Sequence, residues 1–504
     1  MSSPLPTHAH VLPVPATTSA AKTKADVLVL GVWTVDGTVT LTGDPLTKAE
    51  AKAVLQAAAA VRFTGAAGST AHVPAPAGLA ADSLLLVGLG TEAEEDVTIG
   101  EPAALENLRR QAGTALRSLG DGLSVAVAFP APTAEAAEAV ALGAALGAYR
   151  FTSYLSDDSA KTPVSAVSVL ATKKTRAGVE RAGVIAGAVL RTRDLVNTPP
   201  LDLYPETFAA TAKAQAKGRK VSVTVLDDEQ LRAGGYGGLI GVGQGSSRPP
   251  RLVKVEYAPK KAGKHLSVVG KGITFDSGGL SLKPPASMED MKSDMAGAAA
   301  ALQTVFAVAD LGLPVKVTAW LCLAENLPGG NATRPADVLR IYGGKTVEIT
   351  NTDAEGRVVM ADGLVAAQEE DPDVLLDVAT LTGAQIVALG TRVSGVMGTE
   401  TTRTAVAAAA DATGEQFWPM PIPEELIAGF SSTVADLKNA GKRDAGMLAA
   451  GAFLREFVED GQEWAHLDIA GPSYNTGSPW GYTGAAATGV PVRTLVQVAE
   501  DLAG

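Results

Sequence analysis

Two carboxylates separated by one residue stand in the heptapeptide Asn351-Thr352-Asp353-Ala354-Glu355-Gly356-Arg357. In an extended segment, residues i and i+2 point to the same side. Asp353 and Glu355 then have the spacing to share one cation, and Arg357 follows on that face. Residues 346–350 read as a strand and 358–369 as a helix. That puts the acids at the C-terminal end of a strand, where ligands collect in open α/β sheets. Taken alone, a solvated turn with two acids explains the heptapeptide equally well.

A second stretch supplies what the first lacks. Residues 268–297 carry Lys271, Asp276, Lys283 and Asp294 in a glycine-rich loop after an apolar strand. Asp276, Asp294, Asp353 and Glu355 gathered in one pocket would repel one another strongly. Two divalent cations would balance them, since carboxylates bridge such ions at roughly 3.5–4 Å separation in two-metal hydrolases. A lysine ligates metal only as the neutral amine, a form favoured by burial and neighbouring cations. Lys271 is counted with the ligands on that basis. Lys283 either stays protonated to hold a developing oxyanion or is a solvated loop lysine. The planar fork of Arg357 suits a carboxylate, phosphate or bicarbonate, with a structural ion pair as the alternative. The histidines are poorly placed: His265 begins a strand and His466 lies within one, so both read as structural. His8 and His10 form an H-x-H pair without further ligands nearby. Gly88-Leu89-Gly90 lacks the third glycine of a dinucleotide fingerprint and reads as a turn.

These residues need a scaffold. The chain has 504 residues, too long for one core, so two domains are expected. Residues 1–24 read as a flexible tail. Residues 25–180 alternate strand and helix and read as a smaller N-terminal α/β domain. Residues 181–504 read as a larger C-terminal catalytic α/β domain, a mixed sheet flanked by helices. The boundary falls at a long helix, 176–195, stopped by Pro199 and Pro200. Residues 234–238, Gly-Gly-Tyr-Gly-Gly, read as a flexible turn or a place where backbone approaches a ligand. The net charge of -12 argues against a generic nucleic-acid or anionic-membrane binder. The single cysteine, Cys322, excludes an intrachain disulfide framework and a cysteine-rich zinc site. No secretory signal and no uninterrupted apolar run of roughly 18 residues is visible, so a cytoplasmic enzyme without a membrane partner is expected.

The combined motifs resemble those of the leucyl (cytosol) aminopeptidases, a family of dimetal exopeptidases. NTDAEGR is the family hallmark, and VGKGITFDSGGLSLKP followed by MKSDMAGAA is nearly as specific. ENLPGGNA at 325–332, VNTPP at 196–200 and WAHLDIAG at 464–471 are similar to further signatures. The resemblance runs from about residue 190 to the end; the N-terminal half is similar only in its α/β layout. Val358 stands where the family usually has leucine, which touches packing alone.

The resemblance implies two divalent ions per subunit, Zn²⁺ or Mn²⁺ with Mg²⁺ as a third candidate. Asp276 and Glu355 would bridge them, Lys271 and Asp294 complete one site and Asp353 the other. A water or hydroxide held by both ions would attack the scissile carbonyl, and the substrate's free α-amine would bind one ion. Lys283 would stabilise the oxyanion and Arg357 hold a bicarbonate general base. Met291, Thr380, Leu381 and Gly383 would line the substrate pocket. The implied substrates are peptides with a free N-terminus, leucine and other mostly apolar residues preferred, and the implied assembly is a homohexamer. Some bacterial relatives also bind DNA in a regulatory role, which is the alternative reading; no basic stripe in this sequence favours it.

Overall fold

The computed structural model describes residues 3–6, 8–41, 46–91, 100–156 and 162–504. They form two compact units. One holds Ala9–Leu190 with Thr476–Ala485; the other holds Arg191–Asn475, Ala486–Gly504 and the residues up to His8. The division therefore falls inside the helix Arg176–Asn197, later than the 180/181 boundary read from sequence. That helix is continuous across both positions, so no linker composition marks the change. The segment Thr476–Ala485 also groups with the N-terminal unit rather than the catalytic one.

The N-terminal unit is built on a mostly parallel sheet. Its order is Pro13–Ala16, Ala166–Leu170, Ser124–Ala128, Val27–Val35, Ser83–Thr91, Thr70–Pro74. Leu28, Leu30, Leu84 and Leu86 are fully buried, as expected where helices cover both faces of parallel strands. The helix Lys48–Ala60 starts at a capping box formed by Thr47 and Glu50, which satisfies two otherwise orphaned backbone donors. The flexible-tail reading of 1–24 is corrected here. Pro13–Ala16 pairs in parallel with Ala166–Leu170, and Ala20 is fully buried. Two prolines in this strand obscured it in the sequence; an edge strand tolerates their missing N–H groups. His10 packs its ring 6.0 Å from that of Tyr149. Residues 1–2 and 7 of the expected tail lie outside the described residues.

The catalytic unit has an eight-stranded mixed sheet. Its order is Gln416–Pro419, Val393–Gly398, Trp464–Asp468, Val374–Ala379, His265–Asp276, Lys316–Asn326, Arg251–Tyr257, Val221–Leu226. The four strands from Trp464–Asp468 to Lys316–Asn326 run parallel. Helix Ala296–Leu311 covers one face. It approaches so closely that a Cβ on Gly270 would lie 2.6 Å from the Cα of Ala298. Helix Gly356–Gln368 covers the other face, where Met360 and Leu364 share a core with Val269 and Cys322. Burying each such side chain stabilises the fold by about 1.5–3 kcal/mol relative to leaving it exposed. The stretch Pro285–Leu311 is long and apolar enough to cross a membrane, but its apolar window is 83% buried inside the fold. It is the core helix and its lead-in. Residues 234–238 are a helix junction rather than a ligand loop. Gly234 ends the helix Asp228–Gly234, Gly235 caps it in the left-handed conformation, and Gly237 begins Gly237–Gly243.

Candidate metal centre

Lys271 and Asp276 both lie on the strand His265–Asp276. Their odd separation in a regular strand would send them to opposite faces. The pairing with Lys316–Asn326 shifts register between Ile273 and Phe275, so Thr274 is an inserted bulge residue. Bulges re-aim side chains in this way. Lys271 then pairs with Cys322 and Asp276 with Asn326, an even spacing on the regular strand, and both emerge on the face of helix Gly356–Gln368. A Cβ on Gly356 would lie 2.7 Å from Lys271 Nζ. The glycine between Glu355 and Arg357 is therefore what leaves room for the ammonium.

The extended-segment reading of Asp353 and Glu355 does not hold. Their preceding strand, Thr346–Glu348, ends early and belongs to a separate three-stranded sheet. The Asp353 N–H donates to Asn351 Oδ1 (3.0 Å), and the Ala354 N–H to the Asn351 carbonyl (3.2 Å). This is a turn closed by an asparagine side chain. Glu355 already has helical backbone angles and caps Gly356–Gln368. The turn, not a pleat, gathers the acids.

The resulting cluster is compact. Ligand oxygens of Asp276, Asp353 and Glu355 lie within 4.8 Å of one another. Asp294, after the short 3-10 turn Met291–Ser293, joins through Lys271: the ammonium is 2.9 Å from Asp294 Oδ1 and 2.8 Å from Glu355 Oε1. Lys283 Nζ lies 2.8 Å from Asp276 Oδ2 and 2.5 Å from Asp353 Oδ1. Lys271, Asp276, Asp294 and Glu355 are all nearly inaccessible to solvent.

Four acids face two ammonium groups, so the cluster holds surplus negative charge out of water. Burial pushes the carboxyl groups of Asp294 and Glu355 up, and Asp276 adds to both shifts. Burial also raises Asp353. Burial alone would lower Lys271, but Asp294, Glu355 and Asp276 outweigh it and hold the ammonium above its ordinary range. Lys283 behaves likewise, with Asp276 and Glu355 opposing its burial. Asp294 Oδ2 and Glu355 Oε2 are buried without a hydrogen-bond donor, whereas buried polar atoms are ordinarily partnered. An acid-rich donor set with acceptor oxygens left over fits divalent cations.

Arg357 is in the first turn of its helix. One Nη donates to the Asn439 carbonyl (3.1 Å), the guanidinium lies 5.9 Å from the Phe453 ring centre, and Nε has no acceptor. Burial lowers its pKa to about 10, with Glu355 and Asp468 opposing. No carboxylate forms an ion pair with it among the described residues, so the structural-pair alternative is not met.

The expected pocket residues are placed unequally. Thr380 touches the cluster: its carbonyl accepts from Lys271 (3.0 Å) and its hydroxyl donates to Asp294 Oδ1 (2.7 Å). The Leu381 N–H donates to Asp468 Oδ1 (3.2 Å). Met291 begins the turn leading to Asp294. Gly383 starts the helix Gly383–Leu389 with open space where a Cβ would stand. Sequence reasoning missed Asn326, whose amide donates to Asp276 Oδ1 (2.8 Å) and the Thr352 carbonyl (3.0 Å). It sits in the ENLPGGNA block, so a signal existed. Asn439 and Asp468 were also missed. The histidines are structural: His265 Nε2 meets Thr318 Oγ1 at 3.0 Å, and His466 Nδ1 meets Asp377 Oδ1 at 2.5 Å.

Comparison with known proteins agrees with this geometry. Residues 190–496 match the profile described as the cytosol aminopeptidase family, catalytic domain, and residues 29–158 match the N-terminal domain of the same family. A probable cytosol aminopeptidase of Streptomyces avermitilis is 50% identical, covering 96% of this chain and 97% of the relative. One from Micrococcus luteus is 52% identical over 94% and 96%. Among solved structures, the bottromycin maturation enzyme BotP in complex with Mn is similar at TM-score 0.83 and 36% identity, covering 95% of this chain and 100% of that one. A mutant of tomato leucine aminopeptidase is similar at TM-score 0.84 and 28% identity, covering 99% of each. The chain belongs to the cytosol aminopeptidase family, and its activity is that of a metal-dependent aminopeptidase.

Proposed function

We propose that this chain removes N-terminal residues, leucine and other mostly apolar ones preferred, from peptides with a free amine. Two divalent ions per subunit would be held by Lys271, Asp276, Asp294, Asp353 and Glu355, with Asp276 and Glu355 shared between them. The observation that carries this is the buried acid cluster with its unpartnered oxygens beside Lys271. Zn²⁺ and Mn²⁺ are the leading candidates and Mg²⁺ a third, because oxygen ligands accept all of them; the Mn complex of the similar BotP supports manganese.

Bound ions would make a water nucleophile available near neutral pH. The chain's own groups do the rest. Lys271 would hold an ion as the neutral amine, its proton passing to solvent when the ion binds. Lys283 keeps its proton and holds the negative charge that develops on the scissile carbonyl oxygen. Arg357, buried with Nε free, holds a bicarbonate as general base, a role open because the neighbouring acids are engaged as ligands. Met291, Thr380, Leu381 and Gly383 bound the substrate's first side chain. The family resemblance supports a homohexamer, and the relatives' name supports a cytoplasmic location.

The test compares a leucine-initiated peptide with its N-acetylated form, before and after chelation and metal return. Cleavage of the free peptide alone, lost on chelation and regained with Zn²⁺ or Mn²⁺, is expected. Equal cleavage of the blocked peptide points to an endopeptidase and overturns the proposal.

A further inference from the structure

The acid-bearing turn does not continue a strand of the main sheet: Asn326, Gly278 and Ser281 hold its Thr352, and the rest of its backbone needs another anchor. Asn439 does this work through nearly every polar atom it has. It follows the short strand Leu437–Lys438, which runs parallel to Thr346–Glu348, and its own N–H continues that pairing to the Glu348 carbonyl (2.9 Å). Its side chain then replaces the next rung. Oδ1 accepts from the N–H groups of Thr350 (2.9 Å) and Asn351 (3.3 Å). Nδ2 donates to the carbonyls of Asn351 (2.6 Å) and Ala354 (3.3 Å). Its main-chain carbonyl accepts from Arg357 (3.1 Å). Asn439 itself is fully buried.

We infer that Asn439 is a positioning residue for the metal centre: it holds the turn that carries Asp353 and Glu355 and fixes Arg357 relative to them. The inference rests on the metal reading above. Only a primary amide fits the task. Its acceptor half faces two N–H donors and its donor half faces two carbonyls, so the orientation of the amide is set by its neighbours. A carboxylate of the same shape would keep the first half, turn the second into repulsion, and add charge beside an acid surplus. Alanine would take the Asn439 partner from the N–H groups of Thr350 and Asn351 and from the Ala354 carbonyl, and would leave the Asn351 carbonyl only the Ala354 N–H.

The experiment measures Mn²⁺ and Zn²⁺ affinity by direct titration of the metal-stripped full chain. The samples are wild type, Asn439→Ala, Asn439→Asp and Ser432→Ala. Ser432 donates to Glu348 Oε2 (2.6 Å) and anchors the same small sheet without touching the turn, so its loss reports a merely structural effect. Both Asn439 variants are expected to bind metal at least about tenfold more weakly, because each loses hydrogen bonds that fix the turn. Excess metal should restore part of their turnover. Ser432→Ala should lower the unfolding temperature yet leave metal affinity unchanged. If either Asn439 variant fails to fold, the other carries the measurement, and failure of both to fold counts against a positioning role. Wild-type affinity in a folded Asn439 variant, or an equal loss in Ser432→Ala, overturns the inference alone. A wild-type chain that takes up no metal overturns the reading of the site, and the inference falls with it.

Discussion

The strand His265–Asp276 has a charged cluster at each end, and the two obey opposite rules. At the His265 end, Lys254 and Lys316 meet Glu256 and Glu370. Lys316 lies 3.3 Å from Glu256 and 3.2 Å from Glu370, Lys254 lies 3.3 Å from Glu256, and Lys254 also bonds Glu370 directly. Two positive groups face two negative ones. Burial would raise Glu370, but the Lys254 hydrogen bond and charge bring it below its ordinary value; Lys254 rises against its own burial. Each partner favours the other's charged form, as a structural ion pair should. At the Asp276 end, lysines are present too, yet Asp294, Asp353 and Glu355 all rise. Here four carboxylates meet two lysines, and that surplus of buried acid, rather than the presence of lysines, distinguishes a site with room for further cations from a balanced ion-pair cluster.

The contrast breaks most visibly if the acids at the Asp276 end are dispensable. Asp276→Ala and Glu355→Ala each remove a shared ligand, so each should leave fewer than two metals per chain by elemental analysis. Several kcal/mol of Lewis-acid stabilisation would be lost, which at about 1.4 kcal/mol per tenfold predicts a fall of about 10³ or more in turnover. A variant that keeps two metals and normal turnover rules out the shared-ligand roles.

A smaller effect distinguishes the two lysines. Lys283→Ala should keep both metals and lose about 10² to 10³ in turnover, the usual cost of one oxyanion donor. Lys271→Ala should weaken metal occupancy first, with activity partly recovered at high metal concentration. Arginine at Lys283 should rescue a little, because it keeps the charge. At Lys271 it should not, since it does not become neutral. Metal content and turnover are read on the same samples. The reverse pattern, a metal lost with Lys283→Ala and both kept with Lys271→Ala, means the roles are exchanged.

Much of this was legible because residue types survive folding while local conformation does not. The seven chemistry-bearing residues stand in two motifs, and the structure brings six of them into direct contact, with Arg357 two residues past Glu355 in the first turn of the helix. The helix Gly356–Gln368 matches, within two residues at either end, the helix that the sequence places at 358–369. The bulge at Thr274 left no compositional trace, since its effect depends on the register of a neighbouring strand. The turn at Asn351 reads as extended in the sequence because period-two spacing is also compatible with a turn closed by a side chain. Asn439 was invisible for a related reason: it lies far along the chain from the turn it holds, in a loop without periodicity. Pro13–Ala16 reads as tail in the sequence because prolines usually argue against strands, and the edge of a sheet is the exception.

The smallest effect lies at the other end of the strand, where Glu370→Gln should act on stability alone. The Glu370 side chain and its lysine partners are partly exposed, so solvent screens them and the loss at pH 7 should stay below about 1 kcal/mol. Its pH dependence has a definite sign. Glu370 has a folded pKa below its ordinary value of 4.5. Its contribution is therefore fully present above that value and is lost as pH falls through the folded pKa. Wild type and Glu370→Gln should differ at pH 7 and converge in acid. His265 does not offset this at neutral pH, because burial, aided by Lys316, keeps its pKa below the ordinary 6.5. Urea unfolding across that pH range measures the difference, and about 1 M salt should shrink it further by shortening the screening length to roughly 3 Å. Metal content and turnover at pH 7 should match wild type. A variant that loses metal, or whose stability gap widens in acid, would show that the balanced cluster is coupled to the centre at the far end of the strand.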